Sequence, residues 1–171
     1  GMSLENEFVF VAYEYDGTSK YNYKLWRSDG SVSGTTPIFD FQINESLFYY
    51  SFETYQIDGK SFISYNFSNN NNKSLWQTDG TSEGTNFLIG NYYNFSDFKS
   101  FGNATYIKAG IDYDDSKILK LADGSTNPII FMDNVINSNA NFINYNDKIY
   151  YSNFYLSNNE YYHPSGSELW T

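Results

Sequence analysis

The sequence predicts an all-β fold, a β-propeller-like array of four-stranded antiparallel meanders about 3.5 units long, partial or open. Three observations predict it: a motif that recurs at intervals of about fifty residues, alternating runs rich in aromatic side chains, and a scarcity of helix formers. The motif is Leu25-Trp26-Arg27-Ser28-Asp29-Gly30-Ser31-Val32-Ser33-Gly34-Thr35. It returns as Leu75-Trp76-Gln77-Thr78-Asp79-Gly80-Thr81-Ser82-Glu83-Gly84-Thr85. A worn copy follows at Ile118-Leu119-Lys120-Leu121-Ala122-Asp123-Gly124-Ser125, and a fourth opens at Ser167-Glu168-Leu169-Trp170-Thr171. Equivalent positions 26, 76, 120 and 170 lie 50, 44 and 50 residues apart. Repeats of that period are the mark of solenoids, propellers and arrays.

Composition agrees. Aromatic residues make up 21% of the 171-residue chain, with 18 Tyr and 15 Phe, and such rings suit a pleated, half-buried surface. Runs such as Asn69-Asn70-Asn71-Asn72 favour turns, because Asn side chains bond to nearby backbone. The length suffices for one domain with a core. We therefore expect a single repeat domain over 1–171, with units roughly 5–44, 45–94, 95–137 and 138–171, and Gly1 to Leu4 read as a cloning remnant.

One unit shows how each element is justified. Phe52 to Ile57 alternates and ends at Asp58-Gly59, a hairpin dipeptide. Ser61 to Phe67 alternates with period two and reads as a strand. A polar loop leads to the strand Ser74 to Thr78, the motif turn follows, and Asn86 to Ile89 is the fourth strand. In the turn, Gly80 supplies positive φ, Gly84 lets the chain re-enter a strand, and Asp79 and Thr81 cap loop N–H groups. Trp76 points away from the face of Leu75 and Gln77, and a ring of that size recurring once per unit predicts packing between units. Glu7 to Tyr13, Tyr23 to Ser28 and Thr36 to Phe41 repeat the order from the second strand onward. The third unit turns at Gly102-Asn103 and the fourth at Asn146-Asp147. The expected strand counts are three, four, four and three. A chain starting and stopping in mid-unit has open sheet edges, which invite self-association; a segment of a longer array, an open stack of sheets, or closure between two chains would each accommodate 3.5 units.

These residues resemble the bacterial repeat Glu-Leu-Trp-x-Thr-Asp-Gly-Thr-x-x-Gly-Thr, which occurs in tandem in large secreted and cell-surface proteins, many from the Bacteroidetes. The second copy matches almost in full. The first has Lys24, Ser28 and Ser31 at the Glu and Thr positions, and the third has Lys120 at the Trp position and Thr126-Asn127-Pro128 at the Gly-Thr pair. The resemblance implies a propeller-like array outside the cell or at its surface, without a known catalytic role. It makes Trp26, Asp29, Gly30, Trp76, Asp79, Gly80, Asp123, Gly124 and Trp170 structural, and a protein or glycan at the cell surface the expected partner. A superficial likeness to the Asp-box hairpin of sialidases also points to a structural turn.

Charge and missing residue types narrow the chemistry. The net charge is −10, with a pI of about 4.3, so nucleic acid and anionic membrane surfaces are poor partners. No apolar run is long enough for a membrane-spanning helix, and this chain carries no signal peptide. No cysteine is present, which excludes disulfides and thiolate metal sites. The single histidine, His163, precedes Pro164 in a loop and offers no triad; no phosphate-cradling glycine loop opens a helix. Asp112, Asp114 and Asp115 could offer oxygens to calcium, though a solvated acidic loop is the plainer reading; no other cofactor is expected. Tyr21 and Tyr23, and Tyr161 and Tyr162, read as loop rings that could stack on sugars, with ordinary amphipathic tyrosines as the plainer reading. The expected function is therefore a non-catalytic extracellular interaction or scaffold module. The alternative is a glycan-binding or glycan-cleaving fragment, which would need two carboxylates about 5–10 Å apart; Glu14, Asp16 and Glu53 fall in no motif that would supply them.

Overall fold

The computed structural model describes residues 1–4, 6–15, 17, 18, 21–45, 51–66, 72–112, 115–136, 142–145, 148–151, 156, 157, 160, 161, 169 and 170. Three four-stranded antiparallel sheets carry them, each a meander in sequence order. The first holds β1 (Met2–Leu4), β2 (Glu7–Tyr15), β3 (Tyr21–Ser28) and β4 (Thr36–Glu45). The second holds β5 (Phe52–Ile57), β6 (Lys60–Asn66), β7 (Lys73–Thr78) and β8 (Asn86–Tyr92). The third holds β9 (Asn94–Phe101), β10 (Ala104–Gly110), β11 (Asp115–Ala122) and β12 (Ile129–Ile136). Beyond them β13 (Phe142–Tyr145), β14 (Lys148–Tyr151) and β17 (Leu169–Trp170) pair, while β15 (Leu156–Ser157) and β16 (Glu160–Tyr161) form a hairpin in the chain between β14 and β17. Among the described residues there is no helix, and hence none long and apolar enough to cross a membrane.

The first sheet differs from expectation by one strand. It has four, because Met2–Leu4 pairs along β2 from Met2↔Val9 to Leu4↔Glu7. Two contacts hold this short edge strand. Met2 is buried in the core, and the Gln56 side chain donates to the Ser3 carbonyl (2.7 Å) and accepts from its N–H (3.3 Å). An amide side chain thus satisfies edge backbone that would otherwise be open to pairing. Asp58 and Gly59 both take positive φ, 46° and 73°, as a two-residue hairpin turn of that sequence requires.

The chain divides into two compact units, Gly1–Leu88 and Ile89–Thr171. In the first, the first two sheets share a core of Val9, Leu25, Ile63, Tyr65, Tyr23 and Phe41. Trp76 closes it from the second sheet. Its ring lies 5.3 Å from Phe39 and 5.6 Å, edge to face, from Phe41, both on β4. Phe52 adds contacts to Tyr23 and Phe41 at 5.3 and 5.7 Å. Each such ring pair contributes about 0.5–1.5 kcal/mol beyond the area it buries. The motif tryptophan of the second repeat therefore locks its sheet to the one before it.

In the second unit β10 is buried along its length. Ala104, Tyr106, Ile118 and Val135 form a cluster with Phe101 and Met132 against it. Lys120 stands where the motif has Trp. It is the Cα partner of Tyr106, as Trp76 is of Ile63, and its ammonium lies 5.8 Å from the centre of the Tyr106 ring. A cation over an aromatic face replaces the indole at the same register position.

Candidate functional site

The recurring residues Thr78 to Thr85 build one hydrogen-bonded turn, and each has a defined part in it. Oδ1 of Asp79 accepts from the N–H and hydroxyl of Thr81, at 2.9 and 2.8 Å. The Thr81 hydroxyl in turn accepts from the Gly84 N–H (3.0 Å). The Thr85 hydroxyl donates to the Thr81 carbonyl (2.6 Å) and meets the Thr78 hydroxyl at 2.8 Å, which accepts from the Gly80 N–H (3.0 Å). Gly80 has φ +86°, a conformation costly for any residue with a Cβ. Gly84 is required for a different reason: a Cβ there would lie 2.0 Å from Oδ1 of Asp79.

The first copy repeats the network bond for bond. Asp29 accepts twice from Ser31 at 2.8 Å, Ser31 accepts from Gly34, and Thr35 donates to the Ser31 carbonyl. Ser28 meets Thr35 at 2.7 Å. Serine substitutes for threonine at 28 and 31 because the turn uses the hydroxyl and not the methyl. The two Ser31 hydrogen bonds hold the Asp29 carboxyl below its ordinary value despite some desolvation. In the third copy Ala122 supplies no hydroxyl, and the turn spans 123–128 where the others span 29–35 and 79–85. Ser125 N–H donates to the Ala122 carbonyl and Asn127 N–H to the Ser125 hydroxyl instead, with Gly124 keeping φ +73°. Trp170 lies in β17 with Ile149 as its Cα partner.

The tyrosine expectation needs correcting in the first unit. Tyr21 and Tyr23 are not loop rings. They lie in β3 and are 8% and 7% exposed. Burial, with neighbouring tyrosines, pushes both hydroxyls above the usual tyrosine value. The rings that reach solvent are Tyr13 and Tyr15 on β2, each 56% exposed and packed on Tyr21 at 5.1 and 5.3 Å. Strand parity carries the missed signal: Tyr21, Tyr23 and Leu25 are two residues apart and share the inward face. Tyr161 falls in β16, whereas Tyr162 and His163 lie outside the described residues.

Asp112 is exposed, and its Oδ1 accepts from the Asp115 N–H (2.8 Å), which folds the carboxylate onto its own loop. Asp115 opens β11, and Asp114, like Asp16, lies outside the described residues. Among the described residues no three His, Cys, Asp or Glu side chains gather as metal ligands would. The other carboxylates weighed as chemical candidates are paired across strands. Glu14 takes Lys24 at 2.6 Å. Glu53 accepts from Lys73 and from the Tyr55 hydroxyl (2.8 Å). Burial alone would raise the Glu53 carboxyl, but these two bonds outweigh it and hold it below the ordinary value.

A cleft of about 470 Å³ opens between the first two sheets, lined by Ser3, Glu7, Arg27, Gln56, Asp79 and Gly80 among others. Glu7 and Arg27, on neighbouring strands of the first sheet, form an ion pair at 3.5 Å, Gln56 is spent on the Ser3 backbone, and Asp79 on its own turn. Its two carboxylates both have partners within the protein. Compared with protein families, with curated proteins and with solved structures, the chain matches none.

Proposed function

We propose that this chain is a non-catalytic interaction or scaffold module, a section of a propeller-like repeat array of the kind its motif resembles, acting outside the cell or at its surface. One observation carries the reading: in both well-formed copies the recurring polar side chains, Ser28, Asp29, Ser31 and Thr35 in the first and Thr78, Asp79, Thr81 and Thr85 in the second, are consumed by their own turn, while Trp76 is consumed by the joint between sheets. Residues that recur for architecture leave the variable strand ends and loops to meet a partner. That partner is a protein or a glycan. Glycan binding is the second reading, favoured by Tyr13 and Tyr15, whose exposed rings stand on a platform of buried tyrosines and present planar faces suited to sugar stacking.

The test incubates the folded protein with a panel of oligosaccharides, with and without calcium, and reads product formation and melting midpoint together. No glycosidic bond should be cleaved. A saturating ligand at about 100 times its dissociation constant adds about 2.7 kcal/mol, so a sugar that raises the midpoint without cleavage, in a manner lost in Tyr13→Ala, establishes the glycan-binding form. New reducing ends or unsaturated products from any member of the panel would sink the non-catalytic reading.

A further inference from the structure

We propose that Tyr13 and Tyr15 form a ledge that binds a neutral, extended glycan chain of two or more sugar units, with one sugar ring stacked on each tyrosine; this rests on the glycan-binding form of the function proposed above and names its ligand class. The ledge follows from unequal strand lengths. β2, β3 and β4 run for nine, eight and ten residues, whereas β5, β6 and β7 run for six, seven and six. Phe52, the first residue of β5, meets the first sheet at Tyr23, ring to ring at 5.3 Å. Tyr13 and Tyr15 are the Cα partners of Tyr23 and Tyr21, and they continue the inward face of Val9 and Leu25. Here that face is in water, and each ring is 56% exposed.

Both rings are held in place before a ligand arrives. The buried Tyr21 packs edge-on against Tyr13 at 5.1 Å and against Tyr15 at 5.3 Å, and Tyr13 also meets Tyr23 at 5.7 Å. Rings fixed by buried neighbours lose little freedom on binding. Two residues apart on one strand, they stand roughly 6.5 Å from each other, so a chain of linked sugars lays successive units on successive tyrosines. A sugar turns an apolar C–H face to such a ring and its hydroxyls to water, which suits a side chain with an apolar body and a polar tip. A protein partner would need a broader apolar centre than two rings. Among the described residues of the first two sheets, the one Val, Leu, Ile or Met with an exposed side chain is Val32, in the motif turn at the other end of β3. Charge selects among sugars. The net charge of −10 repels uronates and sulfated chains. Lys24, beside Tyr23 in β3, alternates to the opposite face and is engaged by Glu14 at 2.6 Å.

Isothermal titration with matched ladders provides the test: cello-, manno- and xylo-oligosaccharides of one to six units, with oligogalacturonates as the acidic counterpart. At least one neutral ladder should gain about tenfold in affinity from one unit to two or three and then level off. The oligogalacturonates should bind more weakly at every length, and the neutral chain should bind equally at low and high salt. Tyr13→Ala and Tyr15→Ala should each weaken binding roughly three- to tenfold, while Tyr13→Phe should keep it. Both side chains are more than half exposed, so circular-dichroism melts of the variants should stay close to wild type. The ring-proton NMR signals of Tyr13 and Tyr15 should shift during titration with the neutral ladder. A panel without binding overturns the ledge as a glycan site and leaves the non-catalytic module with a protein partner. So does a chain that Tyr13→Ala and Tyr15→Ala hold as tightly as wild type, or a single sugar that binds as tightly as the longer chain. Cleavage of a bound chain would instead sink the non-catalytic reading and leave the ledge intact.

Discussion

Gly84 and Asp79 are bound by a steric argument that a melting experiment can read directly. An alanine at 84 would place its Cβ 2.0 Å from the Asp79 carboxylate, so the turn would have to open and lose bonds among Thr81, Thr85 and Thr78. Gly84→Ala should cost about 2 kcal/mol or more. The same change should cost clearly less in an Asp79→Ala background, where the obstructing carboxylate is gone. Equal costs in both backgrounds would refute the packing account of this glycine. Thr81→Ser should change stability by less than about 0.5 kcal/mol, since Ser31 makes the same bonds in the first copy. Glu53 gives a pH signature. Its folded carboxyl is held below the ordinary value of 4.5, so its contribution is present in full above that value and is lost as pH falls through the lowered folded value. The advantage of wild type over Glu53→Gln in melting midpoint should therefore shrink on acidification below about 4.5. An advantage that does not change with pH would show that Lys73 and Tyr55 do not hold this charge.

At the scale of elements, strands and motif turns were legible in the sequence because the constraints on them are local. A hydroxyl at fixed offsets, a positive-φ glycine and period-two alternation each leave a mark in the order of residues. The tyrosine positions were misread although the parity from Leu25 was available, because a polar-looking Tyr-Asn-Tyr stretch resembles a loop when read without its strand. Met2–Leu4 was illegible for a different reason. A three-residue edge strand shows no period, and the Gln56 side chain that secures it lies far along the chain. The two motif tryptophans provide a comparison at this scale. Trp76→Ala removes an indole packed on Phe39, Phe41, Tyr65 and Phe87 and should cost about 3–5 kcal/mol. Trp26 holds the same register position in the first sheet, opposite Phe10, but its face alternates away from the Val9 and Leu25 joint, and Trp26→Ala should cost measurably less. A Trp26 loss as large as that at Trp76 would mean that the two positions are not distinguished by what covers them.

For the whole molecule, two copies of the motif build the same turn, and in the second copy an aromatic fastens its sheet to the one before it. The sequence showed the period and the four-strand meander; it could not show how Lys120 serves at a tryptophan position, since that rests on the Tyr106 ring being its cross-strand partner. Nor does a repeat reveal a ligand, because the residues that recur are those the architecture uses. The joint between the first two sheets is therefore the feature on which the account stands, and a double-mutant cycle measures it most directly. Trp76→Leu, Phe41→Leu and the double variant would be unfolded in denaturant at low protein concentration. Direct ring contact at 5.6 Å predicts a coupling of about 0.5–1.5 kcal/mol between the two positions. Additive losses, with no coupling beyond the error of the measurement, would contradict the claim that the motif tryptophan fastens one sheet to the next.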